Sequence, residues 1–226
     1  MAAMDRDAIL AAVRLQTLIE LTNVSDADIV LLINQGVDEI SIAHYWPFLE
    51  ASATQTLVSG TQTYAIPADF EFMVAIVDDD FDNTVPYIDP ETYFIRFGND
   101  TGNTATLFNF YTLWEDKIYL TPTPSANDTD RLKLYYYKSG TQLSAGSTTP
   151  DWHEAFHPML VEYCKWKLWE REEYYAQSER AFVVYQRYLA DMVDWYVRRA
   201  KRMPAVAGDG IFRPRPQHHN IPLLNQ

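Results

Sequence analysis

The clearest pattern of apolar and polar positions lies in residues 151–202, where apolar side chains recur every three or four residues. This spacing places them on one helical face and predicts amphipathic α-helices. The stretch has no glycine and one proline, Pro158, near its start. Because charged residues 170–173 interrupt the pattern, we predict a helical hairpin or one bent helix over residues 151–173 and 175–202. The apolar positions are Phe156, Met159, Leu160 and Tyr163, then Phe182, Tyr185, Leu189, Met192, Val193 and Tyr196.

Two further amphipathic helices are predicted near the N-terminus. The first covers residues 5–21, where Asp5 and Asp7 suit the positive end of the helix dipole. The second begins after Ser25, a favoured N-cap residue, and Asp28 occupies the partner position of a capping box. Because an amphipathic face must be buried against another element, we expect the helices from both ends of the chain to pack together.

The apolar positions between residues 52 and 150 follow the two-residue period of β-strands. Residues 54–58 and 63–66 flank a serine-glycine pair, which predicts a β-hairpin. Residues 70–77 form the strongest predicted strand. One of its faces is predicted to carry Phe70, Phe72, Val74 and Ile76.

The second half of this region predicts one short helix and three strands. Asp89 is followed by proline, an N-cap and first-turn pair that predicts a helix to about residue 97. Residues 105–114 and 117–120 predict a second hairpin, and residues 132–138 a last strand. This strand contains three consecutive tyrosines, 135–137, which must project from both faces. We therefore expect them to serve a core and an inter-subunit surface at once.

The predicted fold class is α+β. A mainly helical bundle would combine residues 1–51 and 151–202, with an antiparallel β-rich domain and its linker inserted as residues 52–150. Residues 203–226 contain four prolines, which exclude a regular helix and predict an extended C-terminal arm. Its isolated apolar side chains favour an arm that becomes ordered against another chain, and the alternative is a disordered tail.

Composition narrows the possible functions. The net charge of −13 argues against a DNA-binding surface, because such surfaces neutralise phosphates with basic residues. The same charge suits a protein past which DNA slides without adhering. No run of 18 apolar residues and no signal-peptide pattern occurs, so we expect no membrane segment. The single cysteine, Cys164, is interpreted as a small apolar side chain in a reducing compartment.

Two local motifs point to metals. Residues 153–157 match the H-E-x-x-H pattern of zinc hydrolases, in which two histidines one helical turn apart bind zinc. Pro158 follows directly, so the motif is expected in a first turn or an irregular lead-in, which argues against zinc. Residues 78–83 resemble half of a calcium loop but lack its glycine, and we interpret them as an acidic turn between strands. No phosphate-binding or serine-hydrolase motif occurs, so no cofactor and no catalytic residue are predicted.

Several short sequence segments, taken together and in their order along the chain, resemble the head–tail adaptor (connector) proteins of tailed bacteriophages, especially the short-tailed type. The resemblance covers roughly residues 5–202, including residues 132–138, 152–173 and 185–199. The most distinctive of these segments are LINQG at 32–36, WPFLE at 46–50, GTQTYAIPADF at 60–70 and IYLTPTP at 118–124.

This resemblance implies a non-enzymatic structural protein of the virion neck, present in the host cytoplasm during assembly. It implies a ring, typically a dodecamer, that joins the portal protein to a downstream tail (nozzle) protein. Viral DNA would pass through this ring without sequence-specific binding. The arm would bind the portal, and the side chains expected to do so are Ile211, Phe212, Arg213, Arg215, Ile221, Leu223 and Leu224.

Two other functions fit parts of the sequence. A zinc-dependent hydrolase would use His153, Glu154 and His157. A cell-wall or glycan-binding tail module would instead use exposed aromatic residues of the β-rich region.

Overall fold

A computed structural model of the chain describes residues 3–18, 23–98 and 102–202. The predicted arm, residues 203–226, lies outside these residues. The elements in chain order are α1 (Arg6–Thr17), α2 (Asp26–Ala43), β1 (Glu50–Leu57), β2 (Thr63–Ala65), β3 (Phe70–Asp78), β4 (Asn83–Val85), α3 (Pro90–Arg96), β5 (Thr104–Ala105), β6 (Phe110–Trp114), β7 (Lys117–Thr121), β8 (Thr123–Pro124), β9 (Asp128–Lys138), α4 (Pro158–Arg171) and α5 (Tyr175–Arg202). The α+β fold class is thus confirmed.

The chain divides into a helical unit, Met1–Phe48 with Gly140–Gln226, and a β unit, Leu49–Ser139. In the helical unit, α4 contacts α1, α2 and α5. Gly36 permits α2 to approach α4 closely, because a Cβ atom at this position would lie 2.8 Å from Cδ1 of Tyr163 in α4. The buried apolar side chains include Ile9, Val13, Ile29, Ile33, Val37, Ile40, Met159, Leu160, Leu168, Tyr185 and Met192.

The predicted helix starts are largely confirmed. The Asp5 side chain caps α1, and Ser25 and Asp28 form a reciprocal capping box at α2. The predicted end of the first helix at residue 21 is wrong, because α1 ends at Thr17 and Leu18 adopts a left-handed conformation with φ 55°.

The C-terminal helices form a hairpin, which settles the choice between a hairpin and one bent helix. Helix α4 ends at Arg171, and Glu173 in the connection has a φ of 63°. The predicted helix start at residue 151 is wrong. Only a short 3-10 turn, Glu154–Phe156, precedes α4, which begins at Pro158 because proline favours the first turn of a helix.

The β unit contains an antiparallel sheet in the order β1-β9-β3-β4, a second antiparallel sheet in the order β2-β7-β6, and a short parallel pair of β5 and β8. The predicted all-antiparallel region therefore includes one parallel pair. Its core contains Leu57, Tyr64, Met73, Ile76, Val85, Phe108, Tyr111, Ile118, Leu120, Leu132, Leu134 and Tyr136.

The predicted hairpin of residues 54–58 and 63–66 is wrong. Gly60 does turn the chain with a φ of 74°, but β1 pairs with the distant β9 and β2 pairs with β7. The eight residues of β1 find a longer partner in the eleven residues of β9 than in the three of β2.

The predicted face of the third strand is also wrong in part. Register shifts near Phe72 and between Met73 and Ala75 indicate β-bulges in β3. Because an extra residue changes which face the following side chains occupy, Met73 and Ile76 are buried while Phe72 and Val74 are exposed.

Other local predictions in the β unit are confirmed. Asp89 caps α3 with Pro90 in the first turn. Strands β6 and β7 form the second predicted hairpin, and both turn residues, Glu115 and Asp116, have positive φ angles of 49° and 54°. The first strand of that hairpin begins at Phe110 instead of residue 105.

The linker of residues 140–150 belongs to the helical unit by its contacts. Leu143 is fully buried, and its N–H donates to Oδ1 of Asn34 at 2.8 Å. The N–H of Arg6 donates to the carbonyl of Thr148 at 2.9 Å. None of the helices in the described ranges is long and apolar enough to cross a membrane.

Candidate interaction surface

The outward face of the β1-β9-β3-β4 sheet carries exposed aromatic and aliphatic side chains. Phe72, Val74 and Tyr135 are 46%, 42% and 43% exposed, respectively. An antiparallel sheet with one buried face normally presents polar side chains on the other. We call Phe72, Val74, Tyr135 and Tyr137 the aromatic sheet face, because this exposure marks a candidate interaction surface.

Strand register brings these residues together. Tyr135 pairs with Ala75 of β3, and Tyr137 pairs with Phe72. The β-bulge beside Val74 adds this side chain to the same surface. The sequence-based prediction placed Phe72 and Val74 with the buried Ile76, and no residue in this strand signals the bulge.

The tyrosines alternate between faces as predicted. Tyr136 is buried and lies 5.9 Å from the ring of Phe70, and its hydroxyl donates to Oδ1 of Asp69 at 2.9 Å. Burial raises the pKa of Tyr136 to about 12. Tyr135 faces outward, as an inter-subunit contact requires. The contact itself stays a prediction.

Acidic groups border the aromatic sheet face. The Tyr137 hydroxyl donates to Oε1 of Glu50 at 3.5 Å, and the Thr54 hydroxyl donates to Oδ1 of Asp130 at 3.0 Å. Lys133 of β9 pairs with Thr54 of β1 in the strand register, and its Nζ forms an ion pair with Oδ2 of Asp79 at 2.6 Å. The border is therefore negative.

A buried ion pair supports this sheet from its inner side. Nε and Nη2 of Arg131 donate to the two carboxylate oxygens of Asp78 at 2.9 and 2.8 Å. Both side chains are nearly inaccessible, at 8% and 2% exposure. Nη2 also donates to the carbonyl of Thr106. A bidentate pair of this kind fixes both the distance and the orientation of the two strands.

The ion pair also positions the acidic turn of residues 79–82. The guanidinium carbon lies 5.1 Å from the ring centroids of both Phe81 and Phe108. A hydrogen bond with Asp128 raises the pKa of Asp80. Strands β3 and β4 flank the turn and pair with each other, which confirms the interpretation as an acidic inter-strand turn. Sequence reasoning missed Arg131, although an arginine within an apolar strand is a signal for a buried carboxylate partner.

The H-E-x-x-H residues lie in the irregular lead-in to α4, as predicted from Pro158. His153 caps the 3-10 turn, and its Nδ1 accepts from the N–H of Ala155 at 3.2 Å. This turn does not give the regular helical spacing with which the motif binds zinc.

His157 is held by the backbone. Its Nδ1 lies 3.0 Å from the N–H nitrogen of Met4, and its Nε2 lies 3.0 Å from the carbonyl oxygen of Trp152. Nδ1 also lies 3.0 Å from the carbonyl oxygen of Met4. Burial lowers the pKa of His157, which favours the neutral imidazole. Within the described residues, no group of three or more His, Cys, Asp and Glu side chains is arranged to hold a metal ion.

Two single residues have packing roles. Cys164 is fully buried, and burial raises the pKa of its thiol, so it behaves as the predicted apolar side chain. His44 ends α2 and contacts the Trp46 ring edge-on at 5.1 Å.

The residues predicted to bind the portal all lie outside the described residues. They are Ile211, Phe212, Arg213, Arg215, Ile221, Leu223 and Leu224.

A comparison with family models decides the identity. The model described as SU10 adaptor protein matches residues 4–209, which include most of the helical unit and the whole β unit. The chain belongs to the SU10 adaptor protein family. This is a family of phage head–tail adaptors, which confirms the resemblance found in the sequence. No curated protein matches the chain.

Membership in the SU10 adaptor family makes the protein a structural adaptor of a phage. It implies a place in the virion neck and association with portal and tail components. The match ends at residue 209, so the predicted arm side chains from Ile211 onward lie beyond it.

Proposed function

We propose that this SU10 adaptor is a non-enzymatic ring protein that joins the portal to the tail and forms part of the DNA channel. The observation that carries the proposal is the family match across residues 4–209. The match spans the β unit and the helices on both sides of it. The proposal therefore rests on most of the chain and not on one short motif.

Charge supports a channel through which DNA passes freely. The β unit, residues 49–139, contains fourteen acidic and five basic residues. Copies arranged around a channel would create a strongly negative potential that repels phosphates. DNA would then move through the ring without binding to its wall.

The C-terminal arm is the proposed portal-binding segment. An extended segment with spaced apolar side chains gains affinity by becoming ordered on its partner. Each contact is weak alone, but a ring holds many arms at a high effective concentration beside the portal. Arg213 and Arg215 would add contacts to acidic groups.

Deletion of residues 203–226 is expected to leave a folded protein that no longer joins portal-bearing heads. Circular dichroism would show native helix content, since α1 to α5 all precede residue 203. Co-sedimentation with heads measures docking. Normal docking by the truncated protein would contradict the arm assignment.

Two side chains, Phe212 and Leu224, are expected to anchor the arm. Replacing both with alanine should reduce co-sedimentation with heads by about tenfold or more, because buried apolar anchors dominate such contacts. A matched control replaces the exposed Leu31 of α2, 58% exposed, with alanine and should dock normally. Unchanged co-sedimentation of the double variant would show that these two residues are not anchors.

A further inference from the structure

The aromatic sheet face is too small to hold two folded copies together by itself. Its two most exposed rings, Phe72 and Tyr135, are 46% and 43% exposed. Together they offer roughly 200 Å², given about 150–250 Å² for a complete aromatic side chain. Even with the smaller exposed areas of Val74 and Tyr137 added, the face stays well below the area of about 800 Å² that each partner of a stable interface buries. The face therefore suits a few side chains of an extended segment better than the flat surface of another domain.

The charges around the face indicate what such a segment must carry. Glu50 and Asp130 lie at the border, while Lys133 is paired with Asp79. The surrounding β unit has fourteen acidic and five basic residues. A complementary segment therefore combines apolar side chains with positive charge.

The C-terminal end of the same sequence has this composition. Residues 203–226 contain two arginines and one aspartate, a net charge of +1, whereas the whole chain has a net charge of −13. Ile211 and Phe212 stand directly beside Arg213 and Arg215. The 24 residues that follow α5 can span up to about 80 Å when extended, which is enough to reach a neighbouring molecule.

We propose that the aromatic sheet face binds the C-terminal segment, residues 203–226, of a second copy of this chain. The inference deepens the proposed function, because it gives the arm a partner before the portal is present. The contact is heterologous: one copy supplies the segment and the other supplies the face, as in the interfaces that generate rings. At the portal, the same segment exchanges this partner for the portal surface.

Two full-length variants test this contact. The face variant carries Phe72→Thr, Val74→Thr and Tyr135→Thr, because threonine keeps a strand-favouring branched side chain while removing apolar area. The segment variant carries Ile211→Ser and Phe212→Ser. The control, Ile95→Gln, changes an exposed apolar residue of α3, outside the four-stranded sheet, that is 77% exposed.

Sedimentation velocity over a range of concentrations reads out the association. The wild-type chain and Ile95→Gln should associate weakly as concentration rises, and each test variant alone should associate about tenfold more weakly. An equimolar mixture of the two variants should form a one-to-one complex, because one retains the segment and the other retains the face. High salt should weaken this complex.

The proposal would be overturned by a wild-type chain that stays monomeric, by a face variant that associates like the wild type, or by a mixture that forms no complex. Association of the segment variant through its own face would show face-to-face pairing instead and would also overturn it. Because no portal is present, failure here leaves the portal proposal standing. The face variant should still co-sediment with heads, since its arm is intact, and loss of that docking would contradict the exchange of partners at the portal.

Discussion

Replacing Arg131 with methionine is expected to lower the free energy of unfolding by about 3–5 kcal/mol, because Asp78 would be left as a buried charge without its partner. The two side chains are 8% and 2% exposed and share a bidentate contact at 2.9 and 2.8 Å.

The matched control is Lys133→Met. Lys133 pairs with Asp79 at 2.6 Å, a shorter distance than in the buried pair, but the two side chains are 40% and 44% exposed. Solvent screens such a pair, so its loss should cost much less than the loss of the buried pair. The comparison sets a buried pair against an exposed pair in the same region, since both cations belong to β9, Asp78 ends β3 and Asp79 follows it.

Urea denaturation followed by circular dichroism measures both variants. A third variant, Asp78→Leu with Arg131→Met, should recover most of the lost stability, because an apolar pair removes the uncompensated charge. Equal losses for Arg131→Met and Lys133→Met would contradict the role assigned to the buried pair.

Replacing Trp46 with alanine should cost about 3–5 kcal/mol, the range for large aromatic side chains removed from a core. Trp46 is fully buried and contacts the rings of Phe48 at 5.4 Å and Tyr196 at 5.8 Å. Its Nε1 donates to the carbonyl of Ile40 at 2.6 Å. Tyr196 belongs to α5, so this cluster fixes the helix from which the arm departs.

A conservative change separates the two contributions of Trp46. Trp46→Phe keeps an aromatic ring but removes the N–H donor to a carbonyl in the last turn of α2, where helical partners are lacking. The lost hydrogen bond should lower the free energy of unfolding by about 1 kcal/mol, and the loss of packing should be smaller than in the alanine variant. Thermal denaturation of both variants gives the comparison. A phenylalanine variant as unstable as the alanine variant would show that ring packing is not the main contribution.

Predictions from the sequence succeeded where the signal is local. The capping box of Ser25 and Asp28, the Asp89 cap and the turn at Glu115 and Asp116 each depend on neighbouring residues, and each is confirmed. The lead-in before Pro158 was predicted for the same reason, because proline acts on the residues just before it.

Predictions failed where the structure depends on pairing between segments that are distant in the sequence. The pairing of β1 with β9 joins Ser52 to Tyr135 across more than eighty residues, and no short-range pattern distinguishes it from a local hairpin. The bulges of β3 likewise depend on its register with β9, so the exposure of Val74 was not predictable. The buried partner of Arg131 is equally distant, at Asp78.

The candidate surface was predicted only in part. The alternation of the tyrosines between two faces followed from strand geometry, and the structure shows which are which: Tyr136 is buried and Tyr135 is exposed. The contribution of β3 to the same face required the structure. The arm residues lie beyond the described residues, so their binding role stays a prediction.

The most direct test of the adaptor function is the mass of the purified protein in dilute solution, alone and after mixing with the portal ring of its phage. Light scattering gives the mass, and a zinc assay on the same sample tests the hydrolase alternative. We expect a small, metal-free species that forms a ring-sized complex on the portal. A small species that ignores the portal and carries one zinc per chain would contradict the adaptor function and direct attention to His153 and His157.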